Sequence, residues 1–301
     1  MSRTALGTSL FALLFAAAAS PVGATFPGRN GKIAFLSDRG GSSQIYLMRP
    51  DGTHVSRIAR TGEAAQPSWS PDGKALVFAE LRGGALQGIS VVAFPSRRVR
   101  RLTAHKTEIW DSSPRWSADG TRVVFQRQTA EGTGVYVMRR NGKGIHRLSA
   151  SDGAYPTWSP DGHWIAFVAG PPGAQQLFKM RASGRGRIQL THATGSALDP
   201  DWSPNGKRLT YVVVRDRNYD VYVIGANGRE QRRLTTLDGQ DLGPSWAPDG
   251  TSIVYVSQGA TAGDPFDLYR MSPDGSHRRR LTSTVWSEGD PTWQRITART
   301  R

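Results

Sequence analysis

Along this chain the apolar residues come in short runs closed off by Gly, Pro, Asp and Ser. Beyond residue 24 no stretch sustains the spacing of an amphipathic helix. Runs such as ALVFA (75–79) and SIVYV (252–256) mix β-branched and aromatic residues, which suits strands. Each is preceded by a turn of the form SPDG, with Pro at its second position and Gly at its last. A polar loop of variable length follows, then a second run: QIYLM, GVYVM, QLFKM, DVYVI or DLYRM. Another turn signal (RPDG, RRNG, ANG, SPDG) leads to a short basic strand such as RRL. With the segment before the first turn, this makes four strands, here lettered A to D.

The whole pattern repeats. PSWSPDGKALVFA at 67 returns as PRWSADGTRVVFQ at 114, PTWSPDGHWIAFV at 156, PDWSPNGKRLTYV at 200 and PSWAPDGTSIVYV at 244. A truncated copy, PTWQ, starts at Pro291. The tryptophans Trp69, Trp116, Trp158, Trp202, Trp246 and Trp293 are 47, 42, 44, 44 and 47 residues apart, about the length of a four-stranded propeller blade. Residues 30–60 hold strands B, C and D without a PxW strand A, and 291–294 hold a strand A with nothing behind it. The reading is an all-β, six-bladed β-propeller of four-stranded antiparallel blades. Its first blade is closed by the C-terminal strand, leaving each blade one short outer edge. The tryptophans are expected to pack between neighbouring blades.

Residues 1–24, MSRTALGTSLFALLFAAAASPVGA, read as a secretory signal: Arg3, an apolar stretch, and Val22 and Ala24 at the −3 and −1 positions. The mature chain, 25–301, is then one propeller domain, exported to the periplasm or secreted, with no transmembrane segment and a monomer expected. It has no cysteine, and a domain of this size can bury a core without disulfides.

The phrase PxWSPDGxxIxF…IYxM…DG…RRLT, recurring in register over residues 27–294, resembles the repeat of the TolB-type propellers, a WD40-like family with SPDG hairpins. The resemblance implies binding of a partner protein at the mouth of the propeller. TolB-type proteins carry a separate α/β domain before the propeller, whereas here the signal is expected to run almost directly into strand B of the first blade.

Catalytic motifs are missing. There is no G-x-S-x-G, no H-E-x-x-H and no P-loop, and NGKG at 141–144 sits at a C–D turn. His105 and His192 follow strand D on loops leading inward, where a metal-dependent lyase would want histidines beside carboxylates.

Charge says more. The chain carries 39 Lys and Arg against 24 Asp and Glu, a net +15. The strand D segments hold fifteen arginines, Arg97, Arg98, Arg100 and Arg101 among them, and one acid, Glu230. This outer belt either blocks edge-to-edge pairing or attracts an anionic envelope component. Nucleic acid is not expected for an exported chain. The loops from D to the next A have the opposite bias, with nine acids and a single lysine, Lys106. Glu63, Asp111, Asp152, Asp199, Asp241, Glu288 and Asp290 are the candidate binding residues there, beside Glu108 and Asp238. Because A is the innermost strand, they are expected at the channel mouth. Their offset from the tryptophan varies between three and six residues, whereas turn capping alone would hold it fixed.

These features predict a non-catalytic binding propeller that holds a protein or peptide partner by its Lys or Arg at an acidic mouth. No cofactor and no catalytic residue is assigned, with a calcium ion as the alternative occupant. The competing class is a hydrolase or lyase acting on an envelope polymer. It needs two carboxylates with separated pKa values, and these acids are too many and too alike to nominate a pair.

Overall fold

A computed structural model of the chain describes residues 25–297, apart from 59–61, 105–107, 150–151, 193, 237–238 and 259–262. The signal segment, His105, Lys106 and Asp238 lie outside the described residues. The first blade contributes β1 (Arg29–Ser37), β2 (Gln44–Met48) and β3 (Ser56–Arg57). The second holds β4 (Glu63–Trp69), β5 (Ala75–Arg82), β6 (Ala85–Ala93) and β7 (Arg98–Arg101). The third holds β8 (Trp110–Trp116), β9 (Arg122–Thr129), β10 (Gly132–Arg139) and β11 (His146–Arg147). β12 (Ala154–Trp158), β13 (Trp164–Ala169), β14 (Gln176–Arg181) and β15 (Ile188–Gln189) make the fourth. β16 (Ser196–Trp202), β17 (Arg208–Arg215), β18 (Asn218–Gly225) and β19 (Arg232–Arg233) make the fifth. The sixth is β20 (Asp241–Trp246), β21 (Ile253–Ser257), β22 (Asp267–Met271) and β23 (Arg279–Arg280).

The last strand, β24 (Glu288–Ile296), returns to the first blade and gives the order β24-β1-β2-β3. Its antiparallel register sets Trp293 opposite Ile33, Thr292 opposite Ala34 and Glu288 opposite Ser37. The ring is therefore closed by a pairing between the two ends of the chain, as the broken repeat predicts.

Each PxW tryptophan is buried against the preceding blade. Trp69 joins Ala34, Leu36, Ile45 and Leu47 of the first blade. Trp293 closes the circle against Val254, Val256 and Leu268 of the sixth. A large ring at this position removes apolar surface from both blades at once, which is why the phrase recurs. The SPDG aspartates act as turn caps: Asp72 accepts hydrogen bonds from the Ser70 hydroxyl (2.5 Å) and the Lys74 N–H (3.0 Å), and Asp119 and Asp161 repeat the arrangement. These turns stack around one face, with Gly120, Gly206 and Gly250 each against the proline of the turn before.

The innermost strands carry a device that the repeat alone does not announce. In all six, the residue before the proline has a left-handed backbone: Gln66, Ser113, Tyr155, Asp199, Gly243 and Asp290 have φ between 46° and 57°. The ladder to strand B slips at the same place in every blade. Proline cannot donate to a ladder, so a strand carrying it inside the sheet must run along an edge or bulge outward. Here it does both, turning the residues that flank the proline toward the channel.

Candidate functional site

The proline-flanking positions make two tiers along the channel, with a polar side chain at every place but Gly243. Before the proline stand Gln66, Ser113, Tyr155, Asp199, Gly243 and Asp290; after it stand Ser68, Arg115, Thr157, Asp201, Ser245 and Thr292. The later tier is sealed, with no member more than 1% exposed. Charges from three blades converge there, since the Arg115 guanidinium is in electrostatic reach of Asp290, Asp201 and Asp199.

Among the described residues, Arg115 is the cation of this cluster. It donates from Nη1 to the Pro114 carbonyl at 2.7 Å, while its Nε and Nη2 have no hydrogen-bond partner among the described residues. Burial lowers its pKa to about 10 against the pull of the three carboxylates. Asp199 is fully buried and neither of its oxygens is bonded among the described residues. Burial, and then the charge of Asp290, raise its pKa well above the ordinary 3.8. Asp290 accepts from the Gln66 N–H at 2.8 Å through Oδ2, but its Oδ1 is unbonded among the described residues. Its burial outweighs that bond and Arg115, and its pKa rises to about 7. Asp201 accepts from the Trp246 N–H and the Thr25 hydroxyl, both at 2.9 Å, through Oδ2. Burial still lifts it to about 8. Tyr155, next to Asp199 and Asp290, is held as the neutral phenol by burial and by their charge.

Three acids thus share one guanidinium. Buried polar groups are almost always satisfied, so the open oxygens of Asp199 and Asp290 call for water or for a visiting donor.

The other five predicted acids are held within their own blades. Arg127 grips Asp111 with two bonds, of 2.7 and 2.9 Å, and lies 5.3 Å over both Phe125 and Tyr136. The same trio recurs in three further blades. Arg39 bonds Glu288 at 2.5 Å and covers Tyr46 at 5.0 Å. Arg187 reaches Asp152 at 3.1 Å over Phe178, and Arg278 lies 3.7 Å from Asp241 over Tyr255. Planar guanidinium stacks on rings and binds carboxylate through paired donors, so one residue clasps both. Glu63 accepts from the Gly84 N–H at 3.0 Å, and Asp152 from that of Gly170 at 2.7 Å. Burial raises the pKa of Asp241 and of Glu288, the latter opposed by Arg39.

Offset from the tryptophan separates the two groups. Asp199 and Asp290, three residues ahead of it, enter the channel; those five or six ahead are clasped at the rim. Sequence reasoning missed Arg115, Asp201, Gln66 and Tyr155. The signal was available, because aligning the x of PxW gives Ser, Arg, Thr, Asp, Ser and Thr, and only one of these is a cation.

Arginines of the outer belt are exposed on β3, β7, β19 and β23. Five belt arginines, Arg101, Arg187, Arg233, Arg278 and Arg280, nonetheless face an acid of their own blade. His192 is exposed, unlike the channel carboxylates. Among the described residues no group of three or more His, Asp or Glu is placed to hold a metal ion. A cavity of about 350 Å³ lies at the opposite face, lined by Ser117, Asp119, Arg122, Trp158 and Asp161, with none of the mouth acids.

Comparison with known proteins agrees with this architecture. The model of the TolB beta propeller domain matches residues 183–296. The Tol-Pal system protein TolB of Francisella tularensis subsp. mediasiatica is 29% identical over 98 residues, which is 32% of this chain and 22% of that protein. The chain therefore spans well under half the length of that relative. The crystal structure of TolB from Acinetobacter baumannii superposes with a TM-score of 0.77 at 21% identity, covering 88% of this chain and 67% of that one. An oligogalacturonate lyase in complex with manganese superposes with a TM-score of 0.59 at 18% identity, over 85% of this chain and 75% of that one. At these identities the structures show a shared fold alone. Repeat, family model and structural likeness together support a TolB-type propeller.

Proposed function

We propose that this propeller is an exported, non-catalytic binding module that takes a Lys or Arg side chain of a protein or peptide partner into the mouth of its channel, without a cofactor. The observation that carries this reading is Asp199. Among the described residues it is a fully buried carboxyl with both oxygens unbonded, in electrostatic reach of Asp290 with one unbonded, while the guanidinium that acts on both is already shared. An inserted ammonium or guanidinium supplies both the missing donors and the missing charge.

Two further features fit a macromolecular partner. The loop before β24, on the face where the D–A loops lie, exposes Val285 (83%) and Trp286 (44%). Exposed tryptophan beside a polar rim is the composition of an interaction anchor. The TolB relative is a protein of the Tol-Pal system by its name, in keeping with a partner-binding role. The belt supplies a separate basic surface for an anionic envelope component.

The test compares the parent with Asp199→Asn/Asp290→Asn, using a partner recovered from envelope extract with the mature chain as bait. The variant should fold and lose the partner, and parental binding should weaken as salt rises. A well-folded variant that keeps parental affinity at two salt concentrations ends the reading.

A further inference from the structure

The end of the channel opposite the proposed partner site is filled by the chain itself. Thr25 and Phe26, just ahead of β1, are each only 4% exposed. Phe26 joins the cluster that contains Trp116 and Trp158. The Gly28 N–H donates to the Pro248 carbonyl at 3.0 Å, in the A–B turn of the sixth blade. Residues 25–28 thus run from the sixth-blade turn into the A–B end of the channel, where Thr25 meets Asp201.

At that meeting point donors are short. The Thr25 hydroxyl lies 2.9 Å from Asp201 Oδ2 and 3.0 Å from the Trp246 carbonyl, so one hydrogen faces two acceptors. Asp201 Oδ1 is buried and has no partner among the described residues. The α-nitrogen of Thr25 is fixed close by, since it is bonded to the carbon next to the one bearing the hydroxyl and stays within about 4 Å of it. In an uncut chain that nitrogen is a neutral amide with one hydrogen. If the signal is removed after Ala24, where Val22 and Ala24 place the cut, it becomes an ammonium with three.

We infer that Asp201 is a built-in seat for the chain's own α-ammonium group, created at Thr25 when the signal segment is cleaved, and that this ion pair seals the A–B end of the channel. The inference rests on the proposed export but not on partner binding at the other end. The ammonium brings a second cation to a cluster in which Asp201, Asp199 and Asp290 otherwise divide Arg115 among them. Burial drives the Asp201 carboxyl up to about 8 despite Trp246, Thr25 and Arg115. A positive charge at Thr25 reverses that drift and keeps the carboxylate ionised at neutral pH. Cleavage would then complete the fold as well as release the protein.

Two proteins test it: residues 25–301 with a free amine at Thr25, and the same chain with Gly-Ser added ahead of Thr25. At pH 7 the free-amine form should melt higher by about 4 °C, and Asp201→Asn should abolish the gap. The α-amine should also react with an amine-directed acylating reagent at least about tenfold more slowly in the folded chain than in urea, a readout that does not need the variant to fold. Equal melting of the two forms, a gap that survives Asp201→Asn, or equal labelling in urea and buffer overturns the seat. The N-terminal mass of the exported protein should begin at Thr25. A different start overturns the maturation step and leaves the partner-binding reading intact.

Discussion

Asp290 and Arg115 stand two blades apart and hold the same residue, Gln66, between them. Asp290 Oδ2 accepts from the Gln66 N–H at 2.8 Å, and Arg115 Nη1 donates to the Gln66 carbonyl at 3.4 Å. The Gln66 amide oxygen accepts in turn from the Ser113 N–H at 2.6 Å. The strand that closes the ring is thereby tied through the second blade to the third.

Arg115→Met keeps bulk but leaves three buried carboxylates without their guanidinium. Breaking a buried pair on one side costs about 3–5 kcal/mol, and urea unfolding should show a loss of that order. Adding Asp290→Asn should restore part of it, because one of the stranded charges is then gone. Equal midpoints for parent and Arg115→Met would mean that the cluster does not couple the blades.

The raised carboxyls set the sign of the pH dependence. An acid whose folded pKa lies above its unfolded 3.8 holds its proton more tightly in the folded chain. The stability this brings is complete below 3.8 and is lost as pH rises toward about 7 for Asp290 and about 8 for Asp201. Asp51 and Asp274, lowered by bonds from Thr53 and Ser276, act in the opposite sense, but only below the ordinary 3.8. The form extended ahead of Thr25 should therefore melt higher at pH 5 than at pH 8, and Asp290→Asn should flatten the difference. A melting temperature that climbs from pH 5 to pH 8 contradicts the assignment.

Two isosteric changes should move stability in opposite directions. Asp199→Asn replaces a buried carboxyl that no hydrogen bond among the described residues supports, so at pH 8 the variant should unfold at the parental urea concentration or above it. Asp111→Asn takes a bidentate carboxylate from Arg127 and should cost about 1–3 kcal/mol. Matching losses at both sites would show that the offset from the tryptophan does not divide these acids by role.

That division marks how far the sequence could be read. Period, turn chemistry and the orphaned PTWQ at Pro291 were enough for the number of blades and for the closing strand. The acids were recognisable as a set, and Asp199 and Asp290 were among them. Their sorting depends on cross-strand register, such as Asp111 opposite Arg127, which single-chain spacing does not carry. The variable offset that argued against capping comes from superposing two groups, one clasped by arginine or turn amides and one turned inward by the bulge. Asp201 and Arg115 escaped notice because they lie inside the fold-defining phrase, where a repeated motif draws attention to what stays constant rather than to what varies.

Ending the chain at residue 290 removes Trp293 and leaves Ile33 and Ala34 without their cross-strand neighbours. The exposed backbone and the opened interface with the sixth blade should yield an insoluble product or one with no cooperative melt. A melting temperature equal to the parent's would contradict closure by β24.

The belt predicts uneven responses. Arg98→Ser, on the exposed strand β7 and in none of the ion pairs among the described residues, should change stability by less than about 0.5 kcal/mol. Arg101→Ser strands Glu80 and should cost more. Changing Arg97, Arg98, Arg100 and Arg101 together to Ser should weaken sedimentation with anionic vesicles and lower its salt sensitivity if the belt recruits an envelope component. Unchanged sedimentation leaves edge protection as its role.

Pairing Ile33 with Trp293 also orders events in time. The first blade cannot be completed until the last strand has been made, because the contact spans 260 residues of sequence. Blades two to six need only neighbours close in the chain and can form as they are synthesised, whereas the closing step carries the entropy of joining distant segments. Until then β1 presents an unpaired inner edge and the sixth blade an uncovered apolar flank. The slowest folding step should thus be the ring closure, and the species most open to aggregation or to a chaperone is a nearly finished propeller still waiting for its final strand.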